Sequence, residues 1–269
     1  MHPIAFKIGS WPVHWYGVLV AIGFLAGLWT AGRRARRSGF TSEQIGDAGP
    51  WLILGTVLGA RSLYVGSYWA EKFAGRPWWE MFMVQNGGLV FYGGLIGASL
   101  AVILYCRFRK LPLWKFADVL APSIALGYVF GRLGCLMNGC CYGRQCALPW
   151  AITYPRSVND TFPADAERGL PVHPTQVYDS LLSLALYCFL AWLYRRKKFD
   201  GQVFAAYLIC YAFTRSFVEY FRGDYTAAHL SAGLITPAQM ISVGILIAGI
   251  VLGAVLWRRN PKSQIPNPK

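Results

Sequence analysis

The chain has 269 residues, 55% of them hydrophobic and only 14% charged, against about 25% charged in an ordinary soluble domain. The net charge is +14, from 26 Lys and Arg against 12 Asp and Glu. This composition excludes a disordered chain, a coiled coil and a small disulfide scaffold. It also argues against a soluble enzyme and against nucleic acid as the partner of the positive charge. The apolar residues arrive in long blocks, and the basic ones in short clusters between them.

About 20 apolar residues cross a hydrocarbon core of roughly 30 Å as a helix. Seven blocks approach that length: Trp15–Gly32, Pro50–Tyr68, Gly87–Cys106, Phe116–Leu136, Val177–Tyr194, Gly201–Glu219 and Pro237–Trp257. The sequence therefore predicts an all-α integral membrane protein with seven transmembrane helices, forming a single domain over residues 1–259. The segment at about 137–176 carries Pro149, Pro155, Pro163, Pro171 and Pro174 among polar residues. It reads as a cap of loops or short helices. Residues 260–269 read as a disordered tail. The first residues lack a basic start and a small-residue cleavage site, so the first block is expected to stay as a helix.

Basic residues follow the odd-numbered blocks. Arg33, Arg34, Arg36 and Arg37 follow the first, and Arg107, Arg109, Lys110 and Lys115 the third. Arg195 to Lys198 follow the fifth, and Arg258, Arg259, Lys262 and Lys269 the seventh. That places sixteen on one side, seven on the other and three inside blocks. The positive-inside rule then puts the N-terminus and the 137–176 cap outside, and the C-terminus in the cytoplasm.

The three arginines inside blocks are Arg61, Arg132 and Arg215. One at the middle of a lone helix costs roughly 2.5–3.5 kcal/mol, so each needs a partner between helices or an anionic ligand. In the third block, Gly93 and Gly97 have the spacing that lets another helix approach closely. Tyr92 stands beside them. At the end of the fourth block, Gly131, Gly134, Gly139 and Gly143 surround Arg132 and Asn138. So many glycines suggest a nest of free backbone N–H groups for an anion, with the guanidinium gripping a phosphate. In the sixth block Tyr211, Arg215, Glu219 and Arg222 recur at i, i+4, i+8 and i+11, on one helical face. The stripe is either a salt-bridge ladder or the lining of a cavity.

Four of the seven cysteines, Cys135, Cys140, Cys141 and Cys146, lie together at the cap. They lack paired C-x2-C spacing and a neighbouring histidine, so the reading carries no metal and no cofactor. On an oxidising face a disulfide is expected, of Cys135 or Cys140 with Cys146, although four cysteines allow three full pairings. His173 leads into the fifth block, where Thr175 is placed to cap a helix.

Taken together these stretches resemble the bacterial prolipoprotein diacylglyceryl transferases. The matching pieces run in family order. They are Trp15-Tyr16-Gly17, Gly88 to Gly97, Ala117 to Pro122, Gly131-Arg132 through Asn138-Gly139 to Gly143-Arg144, His173 to Tyr178, and Arg215 with Glu219 and Arg222. Three positions depart from the family pattern. Cys135 and Cys140 stand where the family's Gly-Arg-x-x-Asn-Phe-x-Asn-Gly-Glu has its first Asn and its Glu, and Tyr92 stands where His is frequent.

The resemblance implies a multi-pass enzyme of the bacterial cytoplasmic (inner) membrane with seven spans. It would move the diacylglyceryl group of phosphatidylglycerol to the lipobox cysteine in the signal peptide of a preprolipoprotein. A thioether forms and glycerol phosphate leaves. The partners implied are membrane lipid and that peptide, with no nucleic acid. Arg132, Tyr16, Asn138 and Gly143 would then bind the lipid. Arg215, Glu219, Tyr92 and Tyr211 would carry the chemistry. Arg215 stabilises the leaving phosphate, Glu219 orients Arg215 or takes a proton, and Tyr211 hydrogen-bonds the headgroup. Tyr92, with an ordinary pKa of about 10, would act either as a phenolate assisted by a nearby arginine or, the preferred reading, by positioning lipid while the thiol deprotonates elsewhere. A transporter or binding protein for an anionic solute or lipid would use the same arginines. A transporter should also show an internal repeat or paired half-helices, and none is visible.

Overall fold

Seven α-helices carry the seven apolar blocks in a computed structural model that describes residues 3–84, 87–155, 169–222 and 236–259. They are α1 (Trp15–Ala35), α2 (Ser42–Ser67), α3 (Phe91–Phe108), α4 (Leu113–Asn138), α5 (Thr175–Arg196), α6 (Gln202–Glu219) and α7 (Pro237–Arg258). A hairpin of β1 (Ile4–Ile8) and β2 (Trp11–His14) precedes α1. A second antiparallel pair, β3 (Ile152–Thr153) and β4 (Pro171–Val172), lies between α4 and α5. The described part of the expected cap is thus strand and loop rather than short helix. Residues 156–168, and the tail 260–269 expected to be disordered, lie outside the described residues.

Among the described residues five helices, α1, α3, α4, α5 and α7, are long and apolar enough to cross a membrane. By that measure α2 and α6 fall short of the seven spans expected. Arg61 interrupts α2, and Gln202, Arg215 and Glu219 dilute α6.

Contacts divide the chain into two compact units, Met1–Thr30 with Ala117–Lys269, and Ala31–Phe116. The sequence reads as one domain because no linker marks the division. Its boundaries fall inside α1 and α4.

In the Ala31–Phe116 unit, α2 and α3 pack through glycines. A Cβ on Gly59 would strike the Gly93 carbonyl and the Gly97 backbone, and one on Gly97 would strike the Gly55 carbonyl. Backbone cannot yield to a side chain there, so the predicted small-residue seam of α3 has a matching seam on α2. A capping box of Thr41 and Gln44 starts α2: the Thr41 hydroxyl accepts from Gln44 N at 3.1 Å, and Gln44 Oε1 accepts from Thr41 N at 3.0 Å. Arg61 is satisfied by carbonyls alone. It donates to Met81 O at 2.7 Å, Glu80 O at 2.8 Å, and Gly87 O and Gly88 O at 2.7 and 3.2 Å. This arginine is a buried clamp on the loop between α2 and α3, with no need of a ligand.

In the other unit, α1 approaches α4 through Gly23 and Gly27. Ser123 of α4 donates to Gly27 O at 2.6 Å, and its hydroxyl lies 3.0 Å from that of Thr30. Asp118 of α4, fully buried, starts α6 from outside that helix. Its carboxylate accepts from Gly201 N at 2.8 Å, Val203 N at 2.9 Å and Phe204 N at 3.0 Å, and takes the Lys197 ammonium at 2.9 Å. Gly201, the residue at the start of α6, has no side chain to do this. Burial works against the Lys197 ammonium, but the Asp118 carboxylate beside it raises its pKa above the ordinary lysine value. Thr236 and Gln239 form the capping box of α7.

Candidate active site

Two of the arginines predicted as functional sit in the unit built on α1, α4, α5, α6 and α7, and each meets an acid. Arg132 on α4 pairs with Asp179 on α5 at 2.9 Å, the two side chains 11% and 5% exposed. Its Nε and Nη2 also donate to Tyr128 Oη at 2.9 and 2.6 Å. Tyr128 packs edge-on against Tyr211 of α6, with ring centroids 5.9 Å apart, and Tyr211 stacks on Tyr207. One turn further, Arg215 pairs with Glu219 at 2.7 Å. The second oxygen of Glu219 accepts from the Thr236 hydroxyl at 3.1 Å. Asp179 lies in the field of Arg132, Arg215 and Arg222.

The residues therefore form one network of three guanidiniums and two carboxylates, a surplus of one positive charge in a largely buried place. Its most available donor is Arg215 Nη1, which is buried and has no hydrogen-bond partner among the described residues. The predicted stripe on α6 resolves into parts. Tyr211 and Arg215 face the network, and Glu219 anchors Arg215. At the end of α6 Arg222 bridges to Gly143.

The expected anion nest at the end of α4 does not form. Gly139 N donates to Leu136 O at 3.2 Å, Cys140 N to Cys135 O at 3.2 Å, Gly143 N to His173 O at 2.9 Å and Arg144 N to Phe221 O at 2.9 Å. Polarity explains the first two: a helix C-terminus presents unpaired carbonyls, and the following turn spends the Gly139 and Cys140 N–H groups on them, while Gly143 and Arg144 donate to the segments before α5 and after α6. Gly139, at φ +70°, makes that turn. Gly143 is required for space, because a Cβ there would meet Phe221 O at 2.5 Å and the His173 and Thr175 side chains at 2.7 Å. Asn138 lies beside the Cys140 thiol. Tyr16 packs on Gly134 and lies in the field of Arg132 and of the three nearby cysteines. Tyr92 belongs to the Ala31–Phe116 unit, where it opens α3 with its ring edge-on to Phe91 and 46% exposed.

Thr175 does not cap α5. Its hydroxyl donates to Cys141 O at 2.7 Å, and Gln176 Nε2 donates to Cys140 O at 2.6 Å and to Tyr154 Oη at 3.1 Å. Burial pushes the Tyr154 phenol up to about 12. Tyr142, Tyr154 and Val172 form a small apolar core under this corner. His173 Nδ1 lies 3.3 Å from Tyr178 Oη, and its ring packs on Phe221. These contacts make it an anchor of the turn that leads into α5.

The expected disulfide is absent: all seven cysteines are free. The cluster also has a different membership. Cys135, Cys140 and Cys141 bring their sulfurs within 4.8 Å of one another. Cys146 is held apart from that set by its backbone bond to Pro171 O at 2.9 Å, beside β4. Two left-handed residues, Gly139 and Cys141, fold the chain back so that the vicinal pair meets α4.

One family profile, Prolipoprotein diacylglyceryl transferase, matches residues 3–255. The chain belongs to this family. A relative named phosphatidylglycerol–prolipoprotein diacylglyceryl transferase from Clostridium tetani is 32% identical over 93% of this chain and 96% of its own length. Proteins of the same name from Synechococcus elongatus and Vibrio vulnificus are each 35% identical, over 98% and 96% of this chain and 90% and 92% of their own lengths. Membership makes the chain a membrane transferase, as its motifs imply.

Three residues of the network carry no mark in the sequence reading, Asp179, Tyr128 and Thr236, and Asp118 is marked only as part of the Ala117 to Pro122 stretch, with no role attached. Asp179 had a usable signal, since an acid inside an apolar block that otherwise lacks one is the natural partner of an intramembrane arginine. Tyr128 sits one turn before Arg132 on the same face. Thr236 and Asp118 act across helices and have no local signature.

Proposed function

We propose that this chain transfers the diacylglyceryl group from phosphatidylglycerol to the lipobox cysteine thiol of preprolipoproteins. The observation that carries this reading is the surplus, among the described residues, of one guanidinium over carboxylates around Arg132, Asp179 and Arg215, with one Arg215 donor that has no partner among them. A lipid phosphate carries one negative charge and several acceptor oxygens, which suits both. The thiolate sulfur attacks the glycerol carbon that bears the phosphate ester. The carbon–oxygen bond breaks, a thioether forms, and glycerol phosphate departs with one more negative charge than it had as a diester. A free thiol has a pKa near roughly 8.5, so thiolate is the minor form at neutral pH, and the positive surplus favours it.

In this reading Arg132, held by Asp179 and Tyr128, grips the phosphate before and during reaction. Arg215 meets the charge that develops on the leaving oxygen, the placement that contributes most to such steps. Glu219, tied to Arg215 and Thr236, positions that arginine rather than accepting a proton. Tyr16 and Tyr211 hydrogen-bond the headgroup, Asn138 and Gly143 shape the same end of α4, and Tyr92 positions lipid.

The membrane arrangement belongs to the same proposal. All seven helices span, with the N-terminus outside and the C-terminus in the cytoplasm of the inner membrane. Support for α2 as a span comes from its outward face: Ile53, Leu54 and Leu58 are 50%, 62% and 58% exposed. A row of large apolar side chains with no protein over it suits lipid. Incubating purified protein with phosphatidylglycerol and a lipobox peptide tests the function directly. A thioether-linked diacylglyceryl peptide and free glycerol phosphate are expected. Lipid binding without product would leave only a binding protein.

A further inference from the structure

We infer that Cys135, Cys140 and Cys141 form a three-thiolate site for a thiophilic divalent d10 ion, of which Zn(II) is the natural example. Nothing in the transfer reaction calls for a metal, and the site stands independently of it. The three sulfurs come from two segments, the last turn of α4 and the turn after it, and all lie within 4.8 Å of one another. Around zinc, Zn–S bonds of about 2.3 Å put tetrahedrally placed sulfurs about 3.8 Å apart, so small side-chain rotations close the set. The Cys140 thiol now spends its proton on Cys135 O at 3.8 Å, a weak contact that a metal bond would replace.

The corner is built to hold this geometry. Cys141 adopts φ +63°, a left-handed conformation that a residue with a Cβ rarely takes. The carbonyls of both vicinal cysteines are tied down by α5, Cys140 O by Gln176 Nε2 at 2.6 Å and Cys141 O by Thr175 Oγ1 at 2.7 Å. Fixed backbone on both sides leaves the two side chains little choice of direction. All three residues are half-buried.

Charge also closes. A divalent ion displaces three thiol protons and leaves a site of net charge −1. The ion thereby removes most of the charge that three bare thiolates would place in this half-buried corner. Three sulfurs leave the fourth zinc position to water.

The test uses the full chain, reduced and kept anaerobic in detergent, titrated with Zn(II) against a competing chelator. One equivalent is expected to bind with release of up to three protons, and X-ray absorption should count three sulfurs at about 2.3 Å. Co(II) in its place should give a sulfur-to-metal charge-transfer band. C135S, C140S and C141S should each weaken binding by roughly 100-fold or more, at least the usual effect of losing a supporting residue. C146S should change nothing. Failure of the parent protein to bind one equivalent overturns the site, whatever the variants do. So does a shell of oxygen and nitrogen, or full retention of zinc by a C135S/C140S double variant.

Discussion

Arg132 and Arg215 are satisfied in different ways, and the difference predicts different kinetics. Arg132 is held along its Nε edge, where Asp179 and Tyr128 both meet Nε and Tyr128 also takes Nη2, and its guanidinium plane is fixed by them. Arg132→Lys keeps the charge and loses the fork. It should raise the apparent KM for phosphatidylglycerol with a smaller effect on kcat, because the grip acts in ground and transition states alike. Among the described residues Arg215 is held by Glu219, and its buried Nη1 has no partner there. Arg215→Ala should lower kcat on the order of 10²–10³, the usual cost of removing one transition-state donor. Initial rates across a lipid concentration series separate the two, with detergent stability checked alongside. A well-folded Arg215→Ala protein that turns over at the parent rate would make this arginine structural, as Arg61 is. At this scale the sequence is informative where spacing on one helix suffices: helical periodicity alone puts Tyr211, Arg215 and Glu219 on a common face. It misleads at Gly131–Gly143. Glycine count says that the backbone is free to turn, but not whether the helix end beside it offers N–H or C=O groups. It is silent on Asp179, because the pairing with Arg132 joins two helices 47 positions apart.

Asp118 shows how one element depends on another. It supplies the cap that Gly201 cannot, and it neutralises Lys197 in the same place. Asp118→Ala removes three hydrogen bonds to the first turn of α6 and strands a partly buried ammonium. A loss of about 3 kcal/mol or more is expected, the range for breaking a buried ion pair by deleting one partner. Thermal unfolding in detergent measures it, and near-parent stability would show that α6 starts without help. The pH dependence has a definite sign. The Lys197 pKa is raised in the folded state, so its contribution is fully present below the ordinary lysine value, roughly 10.4, and is lost as pH rises through the higher folded value. Stability should therefore fall above about pH 10, and Asp118→Asn should blunt that fall. The seam of α2 and α3 is a second element-scale case. Gly97→Leu places a side chain against the Gly55 carbonyl and the Gly59 backbone, neither of which can move aside. Overpacking of about 1–3 kcal/mol is a lower bound where the obstacle is backbone. Half of this seam is legible in the sequence, as Gly93 and Gly97. The other half, Gly55 and Gly59, has the same i, i+4 spacing in α2 and gains its meaning only from the partner helix.

For the whole molecule, the positions of all seven helices are legible because apolar block length is a coarse and robust signal. The division into two units is not, since α1 and α4 run through both boundaries. Which helices span is the question on which hydropathy and architecture part. Five helices qualify on composition, and α2 and α6 do not. An odd number of true crossings and an alternating charge pattern constrain each other, however. If α2 lay on the membrane surface, Arg33–Arg37 and Arg107–Lys115 would fall on opposite sides, and the sixteen-to-seven asymmetry of basic residues would vanish. Exposed Trp69, Trp78 and Trp79 after α2 fit the aromatic belt at an interface opposite those clusters. Reporter enzymes fused after Arg37, Lys110, Lys198 and Arg259 should therefore read cytoplasmic, and those after Arg76 and Arg168 extracytoplasmic. The Arg76 fusion is decisive for α2 and the Arg168 fusion for the orientation of the α4–α5 corner that carries Arg132 and the cysteines. A cytoplasmic signal at Arg76 would demote α2 to an interfacial helix. The same signal at Arg168 would put the arginine network on the wrong side for a lipobox thiol emerging from the membrane, and the transfer reaction proposed for it would have to be abandoned.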